Sequence, residues 1–327
     1  MMYLAHFGLQ QAPFSLTPNT AFYVDLPVHQ QALLMLQTAL AQGEGFLKIT
    51  GEVGTGKTLL CRKLLQDAPS NWALAYLPDP LLTPMELRWA LALELGLKQS
   101  ANIDAQQLTQ LLQRQLMLLA ASEKQLVLLI DEAQALPDET LEAIRLLTNL
   151  ETEQRKLLQV VLFGQPELNR RLSQNQFRQL RQRICFSFDI TKLDRQQTIS
   201  YLQTRLALAG ADRPMFSALA LWLLWHYSRG IPRLINLLSH KALMLAYGRG
   251  LARVGARQLW QAARDTEDVI WRSPWTGLAV TIAAVLSGVL LLGLVAGWGW
   301  LHDVLVLTER FSQSMRLWIA PFWTSEG

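Results

Sequence analysis

The sequence has few charged residues and few cysteines. Only 17% of its 327 residues are Asp, Glu, Lys or Arg, whereas 50% are hydrophobic, which suits a globular protein with an additional apolar segment. Two cysteines, Cys61 and Cys185, are too few for a disulfide framework, so we predict buried thiols. The five histidines lack the spacing of zinc ligands, and we predict no zinc site. The N-terminus lacks a basic segment followed by an apolar core, so we expect no signal peptide.

A glycine-rich loop is present after a short apolar segment. Residues 46–50 are prone to form a strand, and the residues after position 58 continue with helical character. Glycines between them allow backbone torsions and a close approach that a Cβ would obstruct, so successive N–H groups can turn toward phosphate oxygens. We therefore predict a phosphate-binding loop that comprises Gly51, Glu52, Val53, Gly54, Thr55, Gly56, Lys57, Thr58 and Leu59.

Side chains from two distant segments fit a site for ATP and Mg²⁺. Lys57 is expected to contact the β- and γ-phosphates, and Thr58 is expected to bind Mg²⁺. Asp131 and Glu132 follow the apolar run 126–130, which predicts a strand buried on both faces of a parallel sheet. There Asp131 would hold Mg²⁺ and Glu132 would orient or activate the attacking water. Alone, each segment also fits a simple turn, but together they predict a nucleotide site.

Other polar residues are weaker candidates for the same site. Gln165 follows the apolar strand 157–163, where its amide would contact the γ-phosphate or the water; a polar turn residue fits equally well. Arg233 starts a helix and is a candidate contact to the γ-phosphate. An arginine-dense block at residues 170–183 fits three uses: binding nucleic acid or an acidic partner, reaching a neighbouring subunit's phosphates, or forming a solvated helix face.

The order of strands and helices predicts an α/β fold with two domains. Residues 1–190 would form an N-terminal arm and a P-loop domain with a parallel sheet covered by helices. The aromatic and proline residues of the arm would anchor it on the domain surface or lie beside an adenine. Residues 191–272 predict a helical lid, with helices at 196–209, 215–228, 232–247 and 255–270.

A long uncharged run follows the helical unit. Residues 273–302 contain no Asp, Glu, Lys or Arg, and tryptophans bracket the run. Such a segment is long enough to cross a bilayer as a helix, although a buried helix of a soluble protein is the alternative. We predict a transmembrane helix at 273–300 and a short periplasmic tail at 301–327. The chain would then be a single-pass inner-membrane protein whose ATPase domain lies in the cytoplasm, where ATP is found.

Seven short motifs together resemble those of the AAA+ ATPases in the ExeA/GspA secretion group. The motifs are MYLAHFGL, PFSLTPN, GEVGTGKT, LLIDEAQAL, FGQPEL, LRQRI and GIPRLIN, and the resemblance covers roughly residues 1–272. It implies a Walker A loop at Gly51–Thr58, a Walker B pair at Asp131 and Glu132, sensor 1 at Gln165, sensor 2 at Arg233, and an arginine finger at Arg183 or Arg181. Gln165 departs from the Asn or Thr that is common at sensor 1 in AAA+ proteins.

The resemblance also implies a function and partners. It implies ring assembly with ATP bound between subunits, and an ATPase that supports assembly of an MSHA-type type IV pilus or a type II secretion-like apparatus. Expected partners are further copies of the chain, inner-membrane assembly proteins and membrane lipid. ExeA-type members carry a periplasmic peptidoglycan-binding region after their membrane span. We find no such region here, so we do not expect cell-wall binding and we favour the pilus-associated function.

Two other functions fit part of the sequence. A DNA-associated regulatory ATPase of the transposition-regulator type would use the arginine-dense block, and the pI of about 9.2 agrees with it. A net charge of +4, the predicted span and the lack of a recognisable DNA-binding module count against it, so we do not expect a nucleic-acid partner. A nucleotide-gated scaffold with negligible turnover is the other alternative.

Overall fold

The computed structural model describes most of the first 269 residues and little of the rest. The described residues are 3–14, 24–97, 103–151, 155–269, 287–288, 291 and 306–310. The chain divides into two compact units, residues 1–269 and residues 270–327. All the described residues of the second unit are helical.

The predicted transmembrane helix at 273–300 falls in the second unit and lies outside the described residues, except for positions 287–288 and 291. Most of the predicted tail at 301–327 also lies outside them. Within the part of the chain that the structure describes, no helix is long and apolar enough to cross a membrane. A span needs about 20 apolar residues in one helix, whereas the longest helix described has 17 residues and carries several glutamines. This finding contradicts the predicted single-pass inner-membrane location.

The described strands form one parallel sheet. They are β1 (Phe46–Gly51), β2 (Trp72–Leu77), β3 (Gln125–Ile130), β4 (Leu158–Gly164) and β5 (Phe186–Ile190). Their order is β2-β3-β4-β1-β5, and Leu47 of β1 lies opposite Val161 and Phe186. Every residue of β4 is buried, as expected for a strand covered on both faces. The α/β fold with a helix-covered parallel sheet is confirmed, and the carboxyl ends of the strands meet at one edge.

The four helices predicted for residues 191–272 are present, and each begins within three residues of its predicted start. The α-helices of the first unit are α1 (Tyr3–Phe7), α2 (Pro27–Ala41), α3 (Lys57–Gln66), α4 (Pro84–Glu94), α5 (Ala105–Ala121), α6 (Asp138–Leu147), α7 (Pro166–Leu172), α8 (Arg178–Arg183), α9 (Arg195–Leu208), α10 (Ala218–Ser228), α11 (Pro232–Tyr247) and α12 (Ala256–Arg264). Three starts carry capping boxes, in which an N-cap side chain and the residue at N3 bond to each other's backbone N–H. The start of α4, with Thr83 as N-cap and Pro84 in the first turn, is one of them.

Helix α12 is shorter than predicted. It ends at Arg264, whereas the periodicity predicts a helix to position 270. The Lys241 ammonium from α11 donates to the Asp265 carbonyl and, at 2.9 Å, to its carboxylate. The Asp265 carbonyl, just past the helix end, is thus satisfied by a side chain and not by a further helical turn.

Two apolar cores cover the two faces of the sheet. One packs α2 and α3 against residues such as Leu47 and Ile49, and the other packs α4 to α8 against Phe46 and Leu128. Cys61 is buried in the first of these cores, as predicted. The prediction for Cys185 is wrong, because this residue is exposed beside the edge strand β5.

A third core joins the N-terminal arm to helices α9 to α12. Tyr3, Phe7, Leu9 and Phe14 are buried together with side chains of α9 to α12. Phe7 is 1% exposed, and full burial of such a side chain stabilises the fold by roughly 1.5 to 3 kcal/mol. The described part of the arm therefore packs into the helical core. The division at residue 190 stays a prediction, since residues 1–269 form one compact unit.

Candidate functional site

The predicted phosphate-binding loop connects β1 to α3. Gly54 and Gly56 have φ angles of +82° and +99°, in the left-handed region that residues with a Cβ rarely adopt. Gly51 is tightly packed, because a Cβ there would lie 2.8 Å from the Thr55 hydroxyl oxygen. Helix α3 begins at Lys57, so its first N–H groups and the positive end of its dipole face the loop. The loop has the backbone geometry of an anion site.

The Lys57 ammonium is buried within this loop. The residue is 4% exposed, and its Nζ donates to the Gly51 carbonyl at 2.8 Å and to the Glu52 carbonyl at 3.0 Å. Burial lowers the pKa of Lys57, whereas the charges of Glu132 and Asp131 oppose this effect. The cation is thus placed beside the backbone N–H groups that would receive a phosphate.

Thr58 and Asp131 meet although 73 residues separate them. The Thr58 hydroxyl, in the first turn of α3, donates to Asp131 Oδ2 at 2.6 Å at the carboxyl end of β3. Asp131 is 3% exposed, and burial raises its pKa, while the bonds from Thr58 and from the Glu132 N–H lower it. A hydroxyl and a carboxylate form an all-oxygen donor set, which Mg²⁺ prefers, and Mg²⁺ usually takes few protein ligands beside phosphate and water. These residues therefore fit the predicted ion.

The Glu132 carboxylate is held by two glutamines. Its Oε2 accepts from Gln134 Nε2 at 2.6 Å and from Gln165 Nε2 at 2.9 Å. Burial raises the pKa of Glu132, but these two hydrogen bonds and the Lys57 charge together outweigh that effect and leave the pKa below its ordinary value. Glu132 is therefore ionised at neutral pH and able to accept a proton.

Sequence reasoning did not assign Gln134 or Arg171 to this site, although Arg171 falls in the arginine-dense block. Gln134 bridges the site, because its Oε1 also accepts from the Gln165 backbone N–H at 2.9 Å. Arg171 donates to the carbonyls of Gln134 and Leu136 at 2.6 and 2.7 Å and pairs with Asp138, so it fixes the segment after β3. The position of Gln134, directly after the Asp-Glu-Ala run, was the available signal for it. The contacts of Arg171 had no signal in the sequence.

Arg233 approaches the loop from the helical core. Its backbone N–H donates to the Gly54 carbonyl at 3.2 Å, and its Cβ lies 2.6 Å from the place where a Gly54 Cβ would stand. Among the residues that the structure describes, the exposed guanidinium forms no hydrogen bond or ion pair. Arg233 therefore has a charge available for a ligand at the loop.

Arg181 and Arg183 lie away from this site. The Cys185 N–H donates to the Phe46 carbonyl at 3.0 Å, which places Arg183 near the amino end of β1, whereas the loop begins at the other end. Six residues of strand separate the two ends by about 20 Å. Arg183 donates to the Thr148 hydroxyl at 3.2 Å, and Arg181 donates to the carbonyls of Leu172 and Ser173. Both arginines are too distant to serve the loop of their own chain.

The fold and the assembled loop have the architecture of a P-loop domain of the AAA class. Residues 40–172 match the family described as "AAA domain", and this segment includes the loop, Asp131, Glu132 and Gln165. This part of the chain is therefore similar to an AAA domain.

The chain is also similar to a secretion protein. It is 41% identical over 300 residues to General secretion pathway protein A of Aeromonas hydrophila. The aligned residues cover 91% of this chain and 54% of that protein. The predicted resemblance to the ExeA/GspA group is confirmed. The chain spans about half the length of this relative.

Solved structures support the same fold at low sequence identity. The ORC2 protein of Aeropyrum pernix, in its ADPNP–ADP complexes, aligns with a TM-score of 0.57 at 15% identity over 79% of this chain and 74% of its own. CDC6P from Pyrobaculum aerophilum aligns with a TM-score of 0.59 at 17% identity over 77% of this chain and 72% of its own. At such identity the likeness extends to the fold alone.

Proposed function

We propose that this chain binds ATP with Mg²⁺ and hydrolyses ATP to ADP and phosphate. The observation that carries the proposal is the meeting of Thr58 with Asp131, at 2.6 Å, beside a Glu132 carboxylate held by Gln134 and Gln165. A simple turn after β3 would not bring these side chains to the end of a glycine loop. The arrangement matches the needs of phosphoryl transfer, in which positioning and charge stabilisation do most of the work.

Each residue has a role in this proposal. The N–H groups of residues 51–58 and the Lys57 ammonium bind the phosphates, and Arg233 adds a charge from the helical core. Thr58 and Asp131 would hold Mg²⁺, which would neutralise phosphate charge. Glu132 accepts the proton of the attacking water, and Gln165 keeps the carboxylate turned to that position.

The arginines of α8 require a second copy of the chain. Arg183 and Arg181 lie at the edge of the sheet opposite the loop. If either one is the arginine finger, it must therefore act on the ATP of a neighbouring subunit. A head-to-tail ring gives each loop such a neighbour. We propose this assembly for the chain.

The biological function that we propose is a secretion-associated ATPase. The similarity to General secretion pathway protein A supports this class. Within it, we propose that the chain supports assembly of an MSHA-type type IV pilus or a type II secretion-like apparatus, and that it contacts assembly proteins of that apparatus.

The purified full chain provides the test. Lys57→Ala should abolish measurable ATP binding, because the loop loses its cation. Glu132→Gln should bind ATP within about threefold of the wild type but hydrolyse it roughly 100-fold more slowly, because the general base is removed. Titration calorimetry and phosphate release measure the two effects. Failure of the wild type to bind ATP would overturn the proposal.

Glu123→Gln is a matched control. Glu123 is also a glutamate with a left-handed φ, at +57°, but it precedes β3 and so lies at the opposite edge of the sheet. Its variant should hydrolyse ATP normally. In cells that lack the gene, the Lys57 and Glu132 variants should fail to restore surface pili or secreted proteins, and the product that is lost identifies the apparatus. If Glu132→Gln restores both surface pili and secreted proteins, hydrolysis has no role in this function.

A further inference from the structure

The imidazole of His29 contacts the phosphate loop from α2. His29 lies in the first turn of this helix and is 4% exposed. Its Nε2 lies 2.9 Å from the Thr55 carbonyl oxygen, and its Cε1 lies 3.0 Å from the place where a Gly56 Cβ would stand. A carbonyl oxygen only accepts, so Nε2 carries the hydrogen. Burial lowers the pKa of His29, so the ring donates as the neutral Nε2–H tautomer.

This bond fixes the direction of one peptide group in the loop. In a trans peptide the C=O and the following N–H point in opposite directions. The Thr55 carbonyl points at His29, so the Gly56 N–H points away from His29. Gly56 holds a φ of +99°, and the ring would crowd a Cβ there, since its Cε1 lies 3.0 Å from the ideal Cβ position. The neighbouring Thr55 hydroxyl is also fixed, since it donates to the Glu52 carbonyl at 2.8 Å.

We propose that His29 is a positioning residue for nucleotide binding, which holds the Gly56 N–H toward the phosphates before they bind. The inference rests on the proposed function of the loop. An N–H group that is already oriented loses less conformational freedom when the anion arrives, and the gain appears as affinity. A purely structural histidine would stabilise the fold to the same degree with and without nucleotide.

Substitutions of His29 in the full chain separate these two roles. His29→Leu removes the donor, and we expect the dissociation constant for Mg-ATP to rise roughly tenfold. In His29→Gln the side-chain amide reaches the place of the imidazole Nε2, and we expect affinity within about threefold of the wild type. Calorimetry gives the affinities, and thermal unfolding without nucleotide gives the stability of each variant.

His240→Leu is the matched control. His240 lies in the helical core and bonds to the Tyr3 hydroxyl at 3.2 Å. Its loss should lower the melting temperature and leave ATP affinity unchanged. Wild-type affinity in His29→Leu, or equally weak binding by His29→Gln and His29→Leu, would overturn the inference while leaving the proposed function intact. A wild type that does not bind ATP would instead overturn the proposed function.

A measurement on the unaltered chain does not depend on the folding of a variant. Nitrogen-15 NMR of the imidazole should show the Nε2–H tautomer for His29. The backbone amide spectrum should show a change of the Gly56 resonance when ATP is added. A Nδ1–H tautomer would contradict the bond to Thr55 and overturn the inference.

Discussion

Glu132 combines a strained backbone with a carboxylate held by uncharged groups. Its φ of +50° is rare for a residue with a Cβ and costs about 1 to 3 kcal/mol. The Glu132 N–H donates to Asp131 Oδ1 at 2.9 Å, which stabilises this turn. The turn directs the carboxylate to Gln134 and Gln165. The two amide donors keep the carboxylate ionised and leave its negative charge in place. An arginine in their position would cancel that charge.

Gln134→Leu should weaken catalysis more than binding. The substitution removes a donor that lowers the pKa of Glu132, so this pKa should rise and the acidic limb of the rate profile should move to higher pH. At pH 7 Glu132 is ionised with or without Gln134, but without it only Gln165 holds the carboxylate in place. We therefore expect hydrolysis at pH 7 to fall about tenfold, equal to about 1.4 kcal/mol, with ATP affinity within about twofold. Turnover measured from roughly pH 3.5 to pH 8, at roughly half-unit steps, gives the limb. Gln125→Leu, at the other end of β3, is the control, and an unmoved limb would contradict the role of Gln134.

The sequence predicts Lys57, Thr58, Asp131 and Glu132 correctly as neighbours because each pair is contiguous and follows a strand. A parallel sheet then brings the strand ends to one edge. Gln134 and His29 could not be assigned in this way. The contacts of Gln134 depend on the left-handed turn at Glu132. The contact of His29 with the Thr55 carbonyl depends on how α2 packs against the loop. Such contacts follow from tertiary packing, which residue spacing does not encode.

The phosphate loop is held between two helices. Helix α11 contacts it at Gly54 through Arg233, and helix α2 contacts it at Gly56 through His29. Both glycines have positive φ angles, so the conformation that the loop needs is also the one that admits these neighbours. The loop is thus shaped by its own glycines and by packing from outside.

Gly54→Ala should impair both stability and ATP binding. The alanine Cβ would lie 2.6 Å from the Arg233 Cβ, and the φ of +82° adds a backbone cost of about 1 kcal/mol. We expect ATP affinity to fall more than about tenfold, since the loop and Arg233 must move apart. Gly43→Ala is the control, with a φ of +83° and no atom within 4 Å of its Cβ. It should lose a similar backbone energy but bind ATP normally, and equal affinity in both variants would contradict the clash.

Helix positions were more predictable than their partners. Capping residues such as Thr83 and Asp194 mark where α4 and α9 begin, because a local hydrogen bond decides each start. The arm was less predictable. Tyr3 and Phe7 mark it as apolar, but their burial against α11, more than two hundred residues later, depends on the chain closing on itself.

Across the whole of residues 1–269, the loop and the α8 arginines lie at opposite edges of one sheet. The loop follows the carboxyl end of β1, and Arg183 precedes β5 near the amino end of β1. One chain therefore presents the glycine loop at one edge and the α8 arginines at the other. A heterologous, head-to-tail contact is the arrangement that joins two such edges.

Mixing two inactive variants tests whether Arg183 acts on a neighbour. Arg183→Ala keeps its own loop but offers no arginine, and Lys57→Ala offers the arginine but has no functional loop. Each variant alone should hydrolyse ATP at least about tenfold more slowly than the wild type. In an equal mixture about a quarter of the head-to-tail contacts join an intact loop to an intact arginine, so hydrolysis should return to about a quarter of the wild-type rate.

Arg178→Ala is the control. It alters an exposed residue of the same helix, and this variant should stay active alone. If the mixture stays inactive while the Arg181→Ala mixture recovers, Arg181 is the finger; if neither recovers, no arginine of α8 acts between subunits.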